Sequence, residues 1–160
     1  MNRIGETMKK SFLINDLKDM DKLAKAVSST IKPGYIIGLQ GSLGSGKTTF
    51  TQFLAKYMGV IDNVNSPTFT ILKVYQGSIP LYHMDVYRLE NIGYDYELDD
   101  FIYGSGVAVI EWYSYIKSML PNHILEISIE VIDVNKRIVT IEGSGDYEFA
   151  LEVINNRYSN

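Results

Sequence analysis

One short segment limits what this chain can fold into, the sequence GSLGSGKT at residues 41–48. It matches the pattern G-x-x-x-x-G-K-[ST], whose glycines let backbone N–H groups converge on phosphate oxygens. The pattern is specific when a strand precedes it and a helix follows it. Residues 35–39 form an apolar run and residues 47–58 have a helical pattern, so both flanks are expected here. A glycine-rich turn that binds no ligand is the weaker interpretation.

The residue types in this loop suit the phosphates of a nucleotide. The N-terminus of the following helix presents a dipole that favours anions. Lys47 can reach the β- and γ-phosphates, and the hydroxyl of Thr48 can ligate magnesium. The loop therefore predicts nucleotide binding, through Gly41, Ser42, Leu43, Gly44, Ser45, Gly46, Lys47, Thr48 and Thr49.

Composition and charge exclude several other classes. The chain has 160 residues, of which 46% are apolar, so we expect a single folded domain over residues 1–160. It has no cysteine, which excludes disulfides and thiolate metal sites. A formal charge of −4 argues against direct binding of nucleic acid, but not against reaching it through a partner. With no targeting segment and no apolar run of about 20 residues, we expect a cytoplasmic protein.

The order of the predicted elements indicates an α/β fold. Strand–helix–strand–helix comes first and a strand-rich part follows. The predicted strands are residues 11–14, 35–39, 69–75, 79–86, 107–110, 125–132 and 137–142, the last two forming an antiparallel hairpin. The predicted helices lie around residues 20–31, 47–58, 96–103, 113–120 and 147–154. The expected fold is a three-layer sandwich like that of P-loop NTPases, with a parallel centre and an antiparallel C-terminal hairpin.

The helix after the loop has a predicted inner face and a predicted end. Its apolar residues Phe50, Phe53, Leu54 and Tyr57 are expected to face the core. Gly59 stands where a C-terminal cap belongs.

Two acidic residues end apolar strands and are candidates for the magnesium site. Glu111 ends the run 107–111, and Asp85 ends the run 81–85. Either carboxylate could hold the ion through water while the other orients the attacking water. The alternative for each is an acid at a strand end that faces solvent. Their presence beside a phosphate loop favours the functional interpretation.

Other residues give weaker indications. Ser66-Pro67-Thr68-Phe69 is either a plain junction or a switch segment in which Thr68 senses the γ-phosphate. His83 on a strand is more typical of a satisfied core histidine than of a catalyst. Trp112 either belongs to the core or flanks the nucleotide. Arg88 could touch phosphate, bind a partner or pair with Glu90.

The sequence also bears on the kind of nucleotide enzyme. A GTPase would need N-K-x-D after a strand, and Asn135-Lys136-Arg137-Ile138 lacks the aspartate, which favours ATP. A small-molecule kinase usually has a lid rich in arginine, and the four arginines here are scattered. Motor and AAA-type ATPases are much longer. A minimal ATP switch remains.

Three motifs in order resemble the TsaE (YjeE) family of bacterial ATPases. They are GSLGSGKTTF at residues 41–50, SPTFT at 66–70 followed by YHMDVYRL at 82–89, and IEW at 110–112. The combination is far more specific than the phosphate loop alone, and it covers roughly residues 10–135. Tyr113 departs from the pattern, since family members often have proline after the tryptophan. The motifs do not cover the tail after Glu142.

The resemblance implies a function in making threonylcarbamoyladenosine on tRNA. The family member would be the ATPase that works on the TsaB–TsaD complex, with TsaC supplying threonylcarbamoyl-adenylate and tRNA met only through these partners. By position, Lys47 and Thr48 would hold phosphates and Mg²⁺, with Lys47 also catalytic. Asp85 and Glu111 would be the catalytic and metal-linked acids. Trp112 would support the nucleotide site, and Thr68 would lie in a switch.

Three hypotheses follow. The first is an ATPase of tRNA modification that is slow alone and depends on a partner. The second is a P-loop kinase that phosphorylates a small metabolite. The third is an assembly module that binds ATP without needing to hydrolyse it.

Overall fold

A mixed sheet of seven strands forms the centre of the fold. The computed structural model describes residues 7–67 and 70–160. The strands are β1 (Met8–Ile14), β2 (Ile36–Gly41), β3 (Leu72–Tyr75), β4 (Leu81–Asp85), β5 (Val107–Glu111), β6 (Leu125–Val131) and β7 (Arg137–Gly143). The α-helices are α1 (Leu17–Ser28), α2 (Lys47–Tyr57), α3 (Asp99–Ile102) and α4 (Asp146–Ser159). Short 3₁₀ segments lie at Tyr87–Glu90, Tyr96–Leu98 and Tyr113–Met119.

The strand order confirms the expected mixed sheet. It runs β1-β7-β6-β2-β5-β4-β3. The four central strands, β6, β2, β5 and β4, are parallel to one another. The predicted C-terminal hairpin is β6–β7, and β1 adds to it antiparallel, while β3 pairs antiparallel with β4 at the other edge. The carboxyl ends of the parallel strands therefore meet along one rim of the sheet, where ligands bind in folds of this class.

Two apolar layers cover the two faces of the sheet and confirm the three-layer prediction. Residues of α1, α2 and α4 bury one face, against side chains such as Ile37, Leu39 and Val109. The short helical segments bury the other face, against Ile36, Ala108 and Ile110. Because neighbouring residues of a strand point to opposite faces, β2, β4 and β5 each contribute to both layers.

Local capping chemistry explains where the two first helices begin and end. Asp16 accepts a hydrogen bond from the N–H of Asp19, and Asp19 accepts one from the N–H of Asn15, each at 2.9 Å. This reciprocal pair satisfies donors at the start of α1. At the end of α2, Gly59 has φ +81°, and Val60 N–H donates to the carbonyl of Ala55 at 3.0 Å. These are the features of a Schellman cap, which confirms the prediction for Gly59.

Several predicted details were wrong. Tyr57 is 37% exposed rather than inward, with the Lys56 ammonium 4.7 Å from its ring centroid. β3 begins at Leu72 rather than residue 69, because Ile71 adopts φ +64°, which interrupts an extended strand. Residues 113–119 form a 3₁₀ segment with a kink at Ile116 instead of a regular helix. Thr68 and Phe69 lie outside the described residues. No helix among residues 7–67 and 70–160 is long and apolar enough to cross a membrane.

Candidate functional site

The phosphate loop joins β2 to α2, as the sequence predicts. Gly41 is the last residue of β2, and α2 begins at Lys47. Gly44 has φ +79° and Gly46 has φ +114°, conformations that residues with a Cβ rarely adopt. The N–H of Phe50 donates to the carbonyl of Gly46 at 2.8 Å, which closes the first turn of α2. The loop thus presents the helix N-terminus at the rim of the sheet.

Close packing explains the glycine at the start of the loop. A Cβ on Gly41 would lie 2.5 Å from Oγ of Ser45 and 2.9 Å from the carbonyl oxygen of Ile129. Ser45 is buried, so it has little room to move aside. Gly41 is therefore required by packing within the loop as well as predicted to bind phosphate.

The side chain of Lys47 folds back over the start of the loop and is 7% exposed. Its Nζ donates to the carbonyl of Gly41 at 2.5 Å and to that of Ser42 at 3.5 Å. The same ammonium is 4.5 Å from the ring centroid of Trp112. Burial lowers the pKa of Lys47, while the carboxylates of Glu111 and Asp85 act in the opposite direction. Lys47 is therefore a buried cation held by backbone carbonyls and facing two acids.

The two candidate acids lie side by side. Asp85 of β4 and Glu111 of β5 are paired in the parallel register at the carboxyl ends of these strands. Glu111 is 3% exposed and does not face solvent. Burial raises the pKa of Asp85, the N–H of Tyr87 opposes this by donating to its carboxylate at 3.1 Å, and the charge of Glu111 adds to the rise. Two carboxylates are thus concentrated beside the lysine.

His83, in the middle of β4, contacts one of these two acids, Glu111. It has no exposed surface, and its Nε2 lies 2.7 Å from Oε2 of Glu111. Its Nδ1 has no hydrogen-bond partner among the described residues. The sequence analysis treated His83 as a satisfied core histidine. The H-x-D spacing could have indicated that His83 lies beside the candidate acids, because it places His83 and Asp85 on one face of the strand.

Trp112 lines the site, and its backbone adopts an unusual conformation. It follows β5 directly and adopts φ +62°, which is uncommon for a residue other than glycine. Its ring stacks on Tyr115 with centroids 5.9 Å apart, and Tyr87 packs edge-on at 5.1 Å. The aromatic group holds the indole over Lys47 rather than deep in the core, which favours the second of the two interpretations of Trp112.

Lys47, the two acids and Trp112 line one cavity of about 670 Å³, whereas His83 lies behind its lining. Of the residues singled out from the sequence, it is lined by Ser42, Leu43, Gly44, Ser45, Gly46, Lys47, Thr48, Thr49, Asp85, Arg88, Glu111 and Trp112. Gly41 contributes its carbonyl to Lys47 instead, and Thr68 lies outside the described residues. Ser66 and Tyr87 also line the cavity. The sequence analysis had considered Ser66 only as part of a junction or switch, and it had given Tyr87 no role of its own.

The donor set suits magnesium better than a metal that needs a protein cage. Within residues 7–67 and 70–160 no group of three or more His, Cys, Asp or Glu side chains is arranged to hold a metal. Mg²⁺ is commonly bound by one or two carboxylates together with substrate phosphates and water. Thr48, Asp85 and Glu111 in one cavity fit that mode of binding.

A second cavity of about 600 Å³ adjoins the loop on its other side. It shares Gly44, Ser45, Gly46 and Thr49 with the first cavity, and it is also lined by the start of α1 and by Asn135 and Arg137. Arg137 Nε donates to the carbonyl of Ser45 at 2.9 Å. The sequence analysis missed this contact, because the two residues are 92 positions apart and meet only through the sheet.

Comparisons with known proteins agree with the fold and the motifs. The family model described as threonylcarbamoyl adenosine biosynthesis protein TsaE matches residues 14–139. A TsaE protein of Bacillus subtilis is 43% identical over 140 residues, 86% of this chain and 88% of the relative. One of Treponema pallidum is 39% identical over 126 residues, 78% of this chain and 93% of the relative. The crystal structure of Bacillus subtilis YdiB superimposes with a TM-score of 0.83 at 32% identity, covering 97% and 99% of the two chains.

Proposed function

The chain belongs to the TsaE family of threonylcarbamoyl adenosine biosynthesis proteins, and on that premise we propose that it is a magnesium-dependent P-loop ATPase required for threonylcarbamoyladenosine modification of tRNA. One observation carries the ATPase proposal: a phosphate loop, a buried lysine and two strand-end carboxylates line the same cavity. These are the groups that P-loop NTPases use to bind the phosphates and magnesium and to orient an attacking water.

The phosphate loop and Lys47 bind and polarise the triphosphate. The backbone N–H groups of residues 42–48 and the dipole of α2 attract the phosphate oxygens. Lys47 exchanges its bonds to the carbonyls of Gly41 and Ser42 for bonds to the β- and γ-phosphates. Both sets of partners are oxygens, so the ammonium keeps hydrogen-bond acceptors in either state. Its buried position strengthens its electrostatic effect on the developing charge.

The carboxylates complete the site. Thr48, together with Asp85 or Glu111 through water, would hold magnesium, which would supply positive charge against the phosphates of the nucleotide. The acid that does not hold the ion orients the attacking water. Two carboxylates in register are suited to this division, since one faces a buried histidine and the other a backbone N–H.

The second cavity is the space that we propose for the ribose and the base. It adjoins the phosphate loop through Gly44 to Gly46 and Thr49. Asn135 lies there, but the segment lacks the aspartate with which N-K-x-D reads guanine. This supports ATP as the nucleotide.

The partner complex that we propose is TsaB–TsaD, with TsaC supplying threonylcarbamoyl-adenylate. The formal charge of −4 argues against direct binding of tRNA, so we expect the protein to meet tRNA through these partners. We expect hydrolysis to be slow without them, since completion of a site by a partner can raise rates by about 10³–10⁵.

Product analysis separates this proposal from the kinase alternative. Purified protein is incubated with γ-labelled ATP and Mg²⁺, or with GTP, or with ATP and a chelator. The proposal expects free phosphate from ATP, less from GTP and none without magnesium. Label transferred to an added metabolite pool with no free phosphate would favour the kinase, and binding of ATP with no turnover even beside TsaB–TsaD would favour the assembly module.

A further inference from the structure

His83 is placed to control one oxygen of Glu111. On β4, Leu81, His83 and Asp85 point to the face of the sheet that α2 covers, and on β5 Val107, Val109 and Glu111 do the same. His83 is paired with Val109, so its ring is diagonal to Glu111, two residues further along β5. The 2.7 Å contact between Nε2 and Oε2 therefore follows from the strand register.

The surroundings of the ring indicate where its proton lies. Glu111 offers Oε2 as an acceptor, so Nε2 is the donor in this contact. Nδ1 has no partner among the described residues. A bare lone pair at that position is less costly to bury than an N–H without an acceptor. The arrangement is thus the one in which Nε2–H donates to a carboxylate.

The contact leaves Glu111 with one oxygen for the cavity. Without a donor at Oε2, the side chain could rotate, or turn either oxygen toward the ammonium of Lys47, whose pKa the charge of Glu111 raises against the larger effect of burial. We propose that His83 is a positioning residue of the ATPase site: its Nε2–H fixes Oε2 of Glu111, so that Oε1 is presented to magnesium-bound or attacking water. This inference rests on the proposed ATPase function.

A histidine that only fills the core would not behave in the same way. His83→Leu keeps the apolar volume and removes the donor, whereas His83→Gln keeps an N–H donor at the same reach. The positioning role predicts that His83→Leu lowers kcat by about 10–100-fold, as loss of such supporting contacts does, with little change in the affinity for ATP. His83→Gln should restore most of the loss. A core role predicts that both variants lower the melting temperature and that kcat per folded molecule stays at the wild-type value.

A double-mutant cycle tests whether His83 acts through Glu111. In a Glu111→Gln background, His83→Leu should lower kcat no further, because the carboxylate that it positions is already gone. The same loss of kcat in both backgrounds would overturn the proposal. The matched control is the other histidine: His123 contacts Ser144 and lines neither cavity at the loop. His123→Leu and His123→Gln should leave kcat unchanged.

Nuclear magnetic resonance can test the contact between His83 and Glu111 without measuring ATPase activity. In ¹⁵N-labelled wild-type protein, Nε2 of His83 should be protonated, with slow exchange of its hydrogen. An unprotonated Nε2 would overturn the proposal whatever the kinetics.

If the wild type shows no turnover with TsaB–TsaD, the proposed function fails while this spectrum still reports on the pair of His83 and Glu111. If the wild type turns over and a folded His83→Leu keeps full kcat, only the role of His83 fails. Should His83→Leu not fold, His83→Gln and the spectrum decide: a folded His83→Gln as slow as Glu111→Gln would contradict the role.

Discussion

The two ends of α2 carry the same residue type in opposite environments. At the N-terminal end Lys47 is 7% exposed and bonded to backbone carbonyls. At the C-terminal end the Lys56 side chain is 54% exposed and forms an ion pair with Asp21 at 2.9 Å. Burial lowers the pKa of Lys47, whereas the hydrogen bond to Asp21 raises the pKa of Lys56.

The different environments of Lys47 and Lys56 fit different roles: a charge proposed to act on phosphate, and a charge typical of a protein surface. Lys56 is solvated, has an ordinary partner and stands at the end of the helix where cations are favourable. Lys47 stands at the end where the helix dipole disfavours a cation, and burial adds to that cost. A cation kept in such a position is expected to bind an anion. Substitutions at the two ends of α2 should therefore have very different effects.

Replacing Lys47 should have the largest effect. Lys47→Ala removes the buried cation from the phosphate site, and loss of one such charge donor lowers turnover by about 10²–10³-fold. ATP affinity should fall as well, which the fluorescence of Trp112, the one tryptophan of the chain, can follow because Lys47 lies over its ring. Lys56→Ala is the matched control. Equal turnover in the two variants would remove the contrast between the two ends.

Substitutions of the glycines at the two ends of α2, Gly46 and Gly59, should also differ in their effect on ATP binding. Gly46 and Gly59 both have positive φ, so alanine at either position costs about 1–2 kcal/mol of stability. Gly59→Ala affects only the cap and should keep wild-type turnover per folded molecule. Gly46→Ala also distorts the loop and should weaken ATP binding. Melting curves and nucleotide titrations measure the two effects, and loss of binding in Gly59→Ala would show that the cap influences the site.

The half-buried carboxylate of Asp85 should oppose stability at neutral pH. Because the folded pKa of Asp85 is raised above its ordinary value of 3.8, ionising Asp85 as the pH rises through the folded pKa destabilises the protein. Asp85→Asn removes this cost. The variant should melt at a higher temperature than the wild type at pH 7, although its turnover falls, and the two should converge below pH 3.8. A variant that melts lower than the wild type at pH 7 would show that Asp85 stabilises the fold.

The smallest effect is expected at the exposed end. Asp21→Asn breaks the ion pair with Lys56, and such solvated pairs contribute little to stability. Melting temperature and turnover should stay at wild-type values in low and high salt. A marked loss at low salt alone would indicate that the C-terminal end of α2 is electrostatically more important than its exposure suggests.

Local sequence signals predicted most of the fold because the interactions behind them are local. The phosphate loop, the cap at Gly59 and the β6–β7 hairpin depend on residues close together in the chain. Tyr57 was misplaced because its apolar ring fits the helical pattern, while its hydroxyl and the nearby lysines favour the surface. The strand boundary at Leu72 depends on the left-handed conformation of Ile71, which no residue type predicts.

The candidate site was predictable in its residues but not in its contacts. Lys47, Asp85 and Glu111 stood out through spacing and strand position. The pairing of His83 with Glu111 needs the register between β4 and β5, and the bond from Arg137 to Ser45 needs the order of β6, β7 and β2. Both are consequences of packing across the sheet, which a single sequence does not specify residue by residue.

The most direct test is ATP turnover by the purified protein with and without TsaB–TsaD, on the wild type and on Glu111→Ala. The account predicts slow release of phosphate by the wild type alone and a large rise with the complex. It also predicts that Glu111→Ala binds ATP but stays slow in both cases, and that tRNA modification stops with it. Wild-type turnover by Glu111→Ala, or full tRNA modification without hydrolysis, would contradict it.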